Sequence, residues 1–481
     1  MGVGAKFEAV VLRLARRRKR SPEPAPLLID LLEAPRAGAA IQYESYPFLY
    51  QVHDCGDHFS YGVSCVLSLG ERSALGIAVS EASASLDPDT LHPLTFDNLV
   101  QTLAQNAAAR LAGPAGRAPV AELAELAAYE SIGLPRILAL AKDKDVSEYF
   151  VDSDTTCIYL DHAKVGRCET GILLTERERQ ALETHLDTFR GYTPDYVTPS
   201  LKNDLEISGA RLRVSLDLEP VSVNRFALDV RRLNNSVFSI QQLIQLGVLT
   251  LEAAALLIGW LEVGGNCTII GETGSGKTTL LNALDERVDR RLRRLYIEDA
   301  VETADLLSMG FHQMKVKVDP FERGDASRTK ETEIVKALHR SPDIVVLSEL
   351  QSREHSSAFF QSLAAGVRGI QTFHASTIEQ AFRRWVSLHG VSEESLLDLG
   401  VLVLMSRPDR LRPERYLTRI CHVYPESGRP RLREMFLRDK SFSLVRVGGW
   451  ERLVSPGGAA SALDSSIGRA MERLRTDVRQ S

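Results

Sequence analysis

Gly271-Glu272-Thr273-Gly274-Ser275-Gly276-Lys277-Thr278 sets glycines, a lysine and a hydroxyl residue at the spacing G-x-x-x-x-G-K-[ST]. Glycines let successive backbone N–H groups turn inward around phosphate oxygens, and a helix starting there adds the positive end of its dipole. In that chemistry Lys277 reaches the β and γ phosphates of a nucleoside triphosphate, and Thr278 offers its hydroxyl to Mg²⁺. The nucleotide-binding set then runs from Gly271 through Thr278 to Thr279, where the helix begins. Hydrolysis also needs a carboxylate at the end of a neighbouring strand, to hold the metal's water or polarise the attacking one. Pro342-Asp343-Ile344-Val345-Val346-Leu347-Ser348-Glu349 supplies one at Glu349; Arg294-Leu295-Tyr296-Ile297 ends in Glu298 and Asp299 with Glu302 close behind; Gly369-Ile370-Gln371-Thr372-Phe373 ends in His374. Each polar group alone is equally well explained as a capping or ion-paired residue.

Positioning these groups requires a strand, a loop and a helix in that order. Cys267-Thr268-Ile269-Ile270 reads as the strand before the loop and Thr279-Leu280-Leu281-Asn282-Ala283-Leu284 as the helix after it. Upstream, Ile240 to Leu261 reads as one long helical region, after a polar break at Asn234, Asn235 and Ser236. Ile41 to Gly76 reads as short strands and Phe96 to Leu111 as a helix. A second α/β module is expected from CIYLDH, TGILLT, ARLRVSLDL and FALDVRRL as strands, with Glu176 to Phe189 as a helix. Gly113, Pro114, Gly116 and Pro119 mark a soft boundary. The expected organisation is a basic segment 1–26, a first N-terminal domain 27–115, a second 116–236, a nucleotide-binding domain 237–454 and a tail 455–481, with room for one terminal helix.

The chain of 481 residues has room for about three folded units. Lys and Arg number 58 against 63 Asp and Glu, a net charge of −5, so there is no global attraction to nucleic acid. At 44% apolar and 25% charged residues the composition is that of an ordinary globular protein, and the longest apolar run, Ala253–Leu261, is stopped by Glu262 well short of the ~18 residues a membrane span needs. Six scattered cysteines without a C-x-x-C pair suggest neither a zinc ribbon nor a disulfide framework, and fit a reducing cytoplasm. Phe7, Val10, Val11 and Leu14 fall on one helical face before the run Arg16-Arg17-Arg18-Lys19-Arg20. With charges after the apolar stretch this is not the pattern of a secretion signal; it suits a helix on an anionic membrane surface, a solvated tail or a helix packed on a partner subunit.

Taken together, the motifs resemble the secretion-motor ATPases of type II secretion and type IV filament assembly, including archaeal filament motors and conjugation-type traffic ATPases. Gly271 to Thr278 is similar to their Walker A loop, Tyr296 to Glu302 to their acidic box, Glu349 within SELQSRE to their atypical Walker B segment, and Thr372-Phe373-His374-Ala375-Ser376-Thr377 to their histidine box. The resemblance covers about residues 145–440 and is vague over the first 115.

It implies an α/β architecture in which a RecA-like P-loop ATPase domain follows α/β N-terminal domains, in a ring-forming homohexamer. ATP and Mg²⁺ are the implied cofactors, the metal resting on Thr278 and Glu349. Glu298 or Glu302 orients the attacking water, Glu349 supports catalysis, and His374 senses the γ phosphate or couples hydrolysis to domain motion. Arg211, Arg225 and Arg231 are candidate cations for the phosphates. The implied partner is a polytopic membrane platform protein, engaged from the cytoplasm at the inner face of the membrane, and the output is filament assembly, disassembly or secretion.

Departures from the family pattern are local. Ser348, Gln351 and Ser352 replace residues of G-E-[VI]-R-G-x-E while Glu349 and Glu354 remain, and Leu338-His339-Arg340-Ser341-Pro342-Asp343 stands for L-R-x-R-P-D, leaving Arg340 as the substitute cation. No tetracysteine insertion follows the loop, as in compact archaeal members. Two alternatives stay open: a nucleic-acid translocase, for which the net charge is wrong but Arg287, Arg290, Arg291, Arg293 and Arg294 cluster, and a nucleotide-binding scaffold without turnover.

Overall fold

The computed structural model describes residues 27–84, 96–111, 119–188, 199–233, 238–318, 329–409, 411–449, 453 and 460–480. The basic segment and the face carrying Phe7, Val10, Val11 and Leu14 lie outside the described residues. The chain forms two compact units, Met1–Asn235 with Leu411–Pro413, and Ser236–Arg410 with Glu414–Ser481.

In the first unit, β1 (Ile41–Ser45), β2 (Phe48–Asp54) and β3 (Phe59–Cys65) precede helices α1 (Leu69–Ala84), α2 (Phe96–Leu111), α3 (Val120–Ile132) and α4 (Pro135–Lys142). Then come β4 (Val146–Val151), β5 (Tyr159–His162), β6 (Gly166–Thr170), α5 (Glu176–Thr188), β7 (Ser200–Ile207), β8 (Ala210–Leu218) and β9 (Phe226–Leu233). All nine strands share one sheet in the order β1-β2-β3-β6-β5-β4-β9-β8-β7, so strands from 27–115 and from 116–236 are joined through the parallel pair β3 and β6. Alternation sets the faces: Leu212, Val214 and Leu216 of β8 and Leu228 and Val230 of β9 are buried, while Arg211 and Arg231 point outward.

One stretch read as strands is a helix. The strands end at Cys65, and Leu69–Ala84 is α1 because Ser68 and Glu71 form a capping box: the Ser68 hydroxyl accepts from Glu71 N–H at 3.2 Å and the Glu71 carboxylate from Ser68 N–H at 2.6 Å. Gly70 and Gly76 weaken the helical pattern in the sequence without preventing it.

The second unit begins with α6 (Ile240–Gln245) and α7 (Leu251–Glu262), two helices where the periodicity suggested one. Gly247, in the left-handed region at φ +70°, ends the first, and Thr250 caps the second by accepting from Ala253 N–H at 3.2 Å. The order continues β10 (Cys267–Gly271), α8 (Lys277–Asp285), β11 (Arg294–Glu298), β12 (Gln313–Lys317), α9 (Lys330–Ala337), β13 (Ile344–Leu350), α10 (Arg353–Ala364), β14 (Gly369–Phe373), α11 (Ile378–Arg383), β15 (Val401–Ser406), β16 (Tyr416–Glu426), β17 (Arg429–Arg438), β18 (Leu444–Arg446) and α12 (Ala460–Gln480). The sheet runs β12-β11-β13-β14-β10-β15-β16-β17-β18, parallel from β12 to β15 and antiparallel beyond. With β10 between β14 and β15, this is the RecA-like arrangement the sequence implied. β10, β11 and β14 are buried along their whole length, as strands covered on both faces must be. The order switches beside β10, so ligand chemistry is expected at the carboxyl ends of β10, β11, β13 and β14.

Terminal helix α12 is part of this core. Leu463, Ile467, Ala470 and Leu474 form its buried stripe, packed with the apolar residues of α7. The helices approach closely at Gly259, where a Cβ would lie 2.8 Å from Ile467 Cγ1. Replacing Ile467 by Ala leaves a cavity in that contact and is expected to lower the unfolding free energy of the second unit by about 2–4 kcal/mol, read by urea unfolding followed through Trp260 and Trp385 fluorescence.

Candidate functional site

Strand β10 delivers the chain into the glycine loop at Gly271, which must be glycine: a Cβ there would lie 2.4 Å from Ser275 Oγ and 2.6 Å from the Met405 carbonyl oxygen. Gly274 and Gly276 take positive φ of +74° and +90° and turn the loop into α8. The buried Ser275 hydroxyl oxygen has no hydrogen-bond partner. A glycine loop running into a helix N-terminus, with an unpartnered buried hydroxyl in it, suits the phosphates the motif implies.

Lys277, the first residue of α8, is 7% exposed. Its ammonium donates to the Gly271 and Glu272 carbonyl oxygens at 3.0 and 2.8 Å and lies 3.3 Å from His374 Nδ1. An ammonium only donates, so Nδ1 must accept, which leaves the proton on Nε2. That nitrogen faces Glu349 Oε1 in a short contact, and Gln351 Nε2 donates to Glu349 Oε2 at 2.7 Å. Lys277, His374 and Glu349, distant in sequence, thus form one hydrogen-bonded chain across the carboxyl ends of the parallel strands. Gln351, a departure from the family pattern, holds the second carboxylate oxygen.

The two remaining candidate carboxylates separate. Glu298 is fully buried; Oε1 accepts from Glu302 and Thr303 N–H at 3.0 Å each, and Oε2 from the Thr303 hydroxyl at 2.8 Å. It braces the turn after β11, and burial raises its pKa despite the Thr303 hydrogen bonds. Glu302 is half-buried and accepts from the Thr278 hydroxyl at 3.1 Å, so it is the carboxylate beside the hydroxyl that the motif assigns to Mg²⁺. Among the described residues no cluster of three or more His, Cys, Asp or Glu is arranged to hold a metal without a ligand's help, so Mg²⁺ would depend on Thr278, nearby carboxylates and phosphate oxygens together.

Arg211, Arg225 and Arg231 belong to the first unit, exposed at the start of β8, before β9 and on β9. Arg211 and Arg225 lie 4.0 and 3.9 Å from Glu206 and Glu219, and Arg231 is opposite Glu148 in the ladder. The arginine cluster after α8 is largely committed inside the second unit. Arg294 is buried and ion-paired with Asp285 at 2.9 Å, Arg287 pairs with Asp477 at 2.8 Å, Arg291 pairs with Asp289 at 2.5 Å, and Arg293 donates to the Arg340 carbonyl.

Several contributors carry no signal in the sequence. Arg415 Nε donates to the Gly274 carbonyl at 2.6 Å, steadying the loop from the β15–β16 connection. Arg384 donates to the His374 carbonyl and lies over the Phe373 ring at 4.8 Å. Lys330, 1% exposed, reaches Asp299 at 3.1 Å and donates to the Glu349 carbonyl. Nothing in their spacing marks these cations, because long side chains reach the site from elements remote in sequence.

Burial works to raise the pKa of Glu349, yet the hydrogen bonds from His374 and Gln351 and the Lys330 charge bring it down to about 2. A carboxyl with a lowered folded pKa contributes stability above its unfolded value, and loses it as pH falls toward the folded one. The stability difference between wild type and Glu349→Gln is therefore expected to be constant above about pH 5 and to shrink between 4.5 and 2, measured by thermal unfolding across that range.

The family described as type II/IV secretion system protein matches residues 201–422. An uncharacterized protein of Methanocaldococcus jannaschii is 27% identical over 258 residues, 53% of this chain and 45% of that protein. The type IV secretion system protein PtlH of Bordetella pertussis is 32% identical over 126 residues, 26% of this chain and 36% of PtlH. The chain thus spans less than half the length of these curated relatives. The X-ray structure of the Legionella pneumophila ATPase DotB aligns with 69% of this chain and 85% of its own at 15% identity and a TM-score of 0.42.

Proposed function

We propose that this chain, whose residues 201–422 match the type II/IV secretion system protein family, is a Mg²⁺-dependent ATPase, acting as a homohexamer, that drives a polytopic membrane platform protein in filament assembly, disassembly or secretion. The observation that carries this reading is the chain from Lys277 through His374 to Glu349 at the strand ends, where one imidazole joins the phosphate-binding cation to the strand-end carboxylate.

In this reading the loop from Gly271 to Thr279 holds the phosphates of ATP, with the unpartnered Ser275 hydroxyl as one further donor. Thr278 with Glu302 or Glu349 holds Mg²⁺, which neutralises phosphate charge. Glu302 rather than Glu298 orients the attacking water, since the hydrogen bonds of Glu298 brace its own turn. His374 reports the state of the γ phosphate by exchanging Lys277 for it. Arg211, Arg225 and Arg231 are candidate cations from the first unit. The protein would work in the cytoplasm at the inner face of the membrane, and its basic start would meet anionic lipid. Among the described residues no helix is long and apolar enough to cross a membrane.

A nucleic-acid translocase would need the arginine cluster free, and the ion pairs of Arg287, Arg291 and Arg294 and the burial of Arg294 weigh against that. A scaffold without turnover would follow if the altered Walker B surroundings displaced Glu349, but Gln351 holds that carboxylate beside His374.

Lys277→Ala is expected to abolish nucleotide binding in a fluorescent-nucleotide titration. Glu349→Gln is expected to bind ATP like wild type while steady-state phosphate release falls by about 100-fold. Wild-type turnover in both variants would overturn the assignment.

A further inference from the structure

Lys330 occupies a position that local structure does not favour. It opens α9, where the helix dipole opposes a cation, and it is 1% exposed, where an ammonium is costly unless paired. Thr329 already caps this helix by accepting from Thr332 N–H at 3.2 Å, so the lysine is not needed for the cap. What compensates these costs is tertiary: the ion pair with Asp299, just past β11, and the hydrogen bond to the Glu349 carbonyl on β13.

That carbonyl lies in an irregular part of the sheet. β13 pairs with β11 as far as Ile297 opposite Leu347, and its register with β14 shifts between Leu347 and Leu350. Ser348 and Glu349 therefore have no register partner in either ladder. A bulge of this kind re-aims side chains, and here the re-aimed side chain is Glu349, turned toward His374. Both bulge carbonyls are taken by side chains: Thr372 donates to that of Ser348 and Lys330 to that of Glu349.

We propose that Lys330 is a positioning residue for hydrolysis: by tying Asp299 and the Glu349 backbone together it holds the bulge that aims the Glu349 carboxylate. Lys330 itself binds Asp299 and the Glu349 carbonyl, not a residue of the phosphate loop, so its removal is expected to act on the chemical step and not on nucleotide affinity. The turnover part of this inference rests on the ATPase reading above; the bulge part does not.

The test compares wild type, Lys330→Met, Lys330→Gln and Lys330→Arg, with steady-state ATP turnover, fluorescent-nucleotide affinity, thermal unfolding and hydrogen exchange of peptides spanning 344–352 measured on the same preparations. Lys330→Met is expected to lower kcat by about 10- to 100-fold with KM and affinity within about twofold, to speed exchange in 344–352 alone, and to be partly rescued in Lys330→Arg. If Lys330→Met does not fold, Lys330→Gln, which keeps a donor and loses the charge, takes its place with the same expectations. Unchanged kcat and exchange would overturn the proposal, as would a uniform loss of stability with KM and kcat changing together. Should wild type itself show no turnover, the ATPase reading fails, and exchange confined to 344–352 still decides whether Lys330 holds the bulge.

Discussion

A buried ammonium governs the second unit. Lys277 sits with its charge among two backbone carbonyls and one imidazole, and an ammonium in that position must have acceptors on several sides. The two carbonyls come from the loop's own turn, which ties the glycine geometry to the lysine. His374, at the end of β14, extends the arrangement to the end of β13, where Glu349 closes it. On the proposed reading a phosphate entering the loop would compete for the same ammonium, which would link nucleotide binding to the state of the His374–Glu349 pair.

The rest of the fold explains how groups separated by up to 97 residues arrive at one place. Parallel strands set every carboxyl end on the same edge, and the switch in strand order beside β10 opens the space that the loop and α8 enter. Buried strands rich in apolar residues fix that edge, with Thr268 and Gln371 hydrogen-bonded to each other inside the sheet and the candidate carboxylates and imidazole where the strands end. The irregularity in β13 then turns Glu349 away from the regular ladder, and side chains from β14 and α9 hold the turn. The first unit has its own nine-stranded sheet, with the candidate cations Arg211 and Arg231 exposed on its strands and Arg225 just before β9.

Much of this is legible in the sequence, for a physical reason. Glycine spacing, four-residue apolar runs and polar residues at their ends are local signals, so the loop, β10, β11, β13, β14 and the candidate groups Lys277, Thr278, Glu298, Glu302, Glu349 and His374 stand out from residue type and spacing alone. Helix α1 does not, because its capping box begins at Ser68, ahead of glycines that dilute the helical pattern. The single long helix expected from 240 to 261 is two, because apolar periodicity persists across a turn that only Gly247 and Thr250 reveal. Glu298 and Glu302 are interchangeable by spacing, and only the backbone hydrogen bonds of a turn distinguish them. Lys330, Arg384 and Arg415 are invisible in the sequence, since a long cation's target depends on tertiary approach and leaves no spacing to read.

The central claim is that His374 and Glu349 act as one unit. The most direct test is a double-mutant cycle in single-turnover ATP hydrolysis with His374→Gln, Glu349→Gln and the pair together. If the residues work through their contact, the double variant is expected to be no slower than Glu349→Gln alone, within about twofold. Effects that simply multiply would contradict the account, because they would mean that the imidazole and the carboxylate contribute independently.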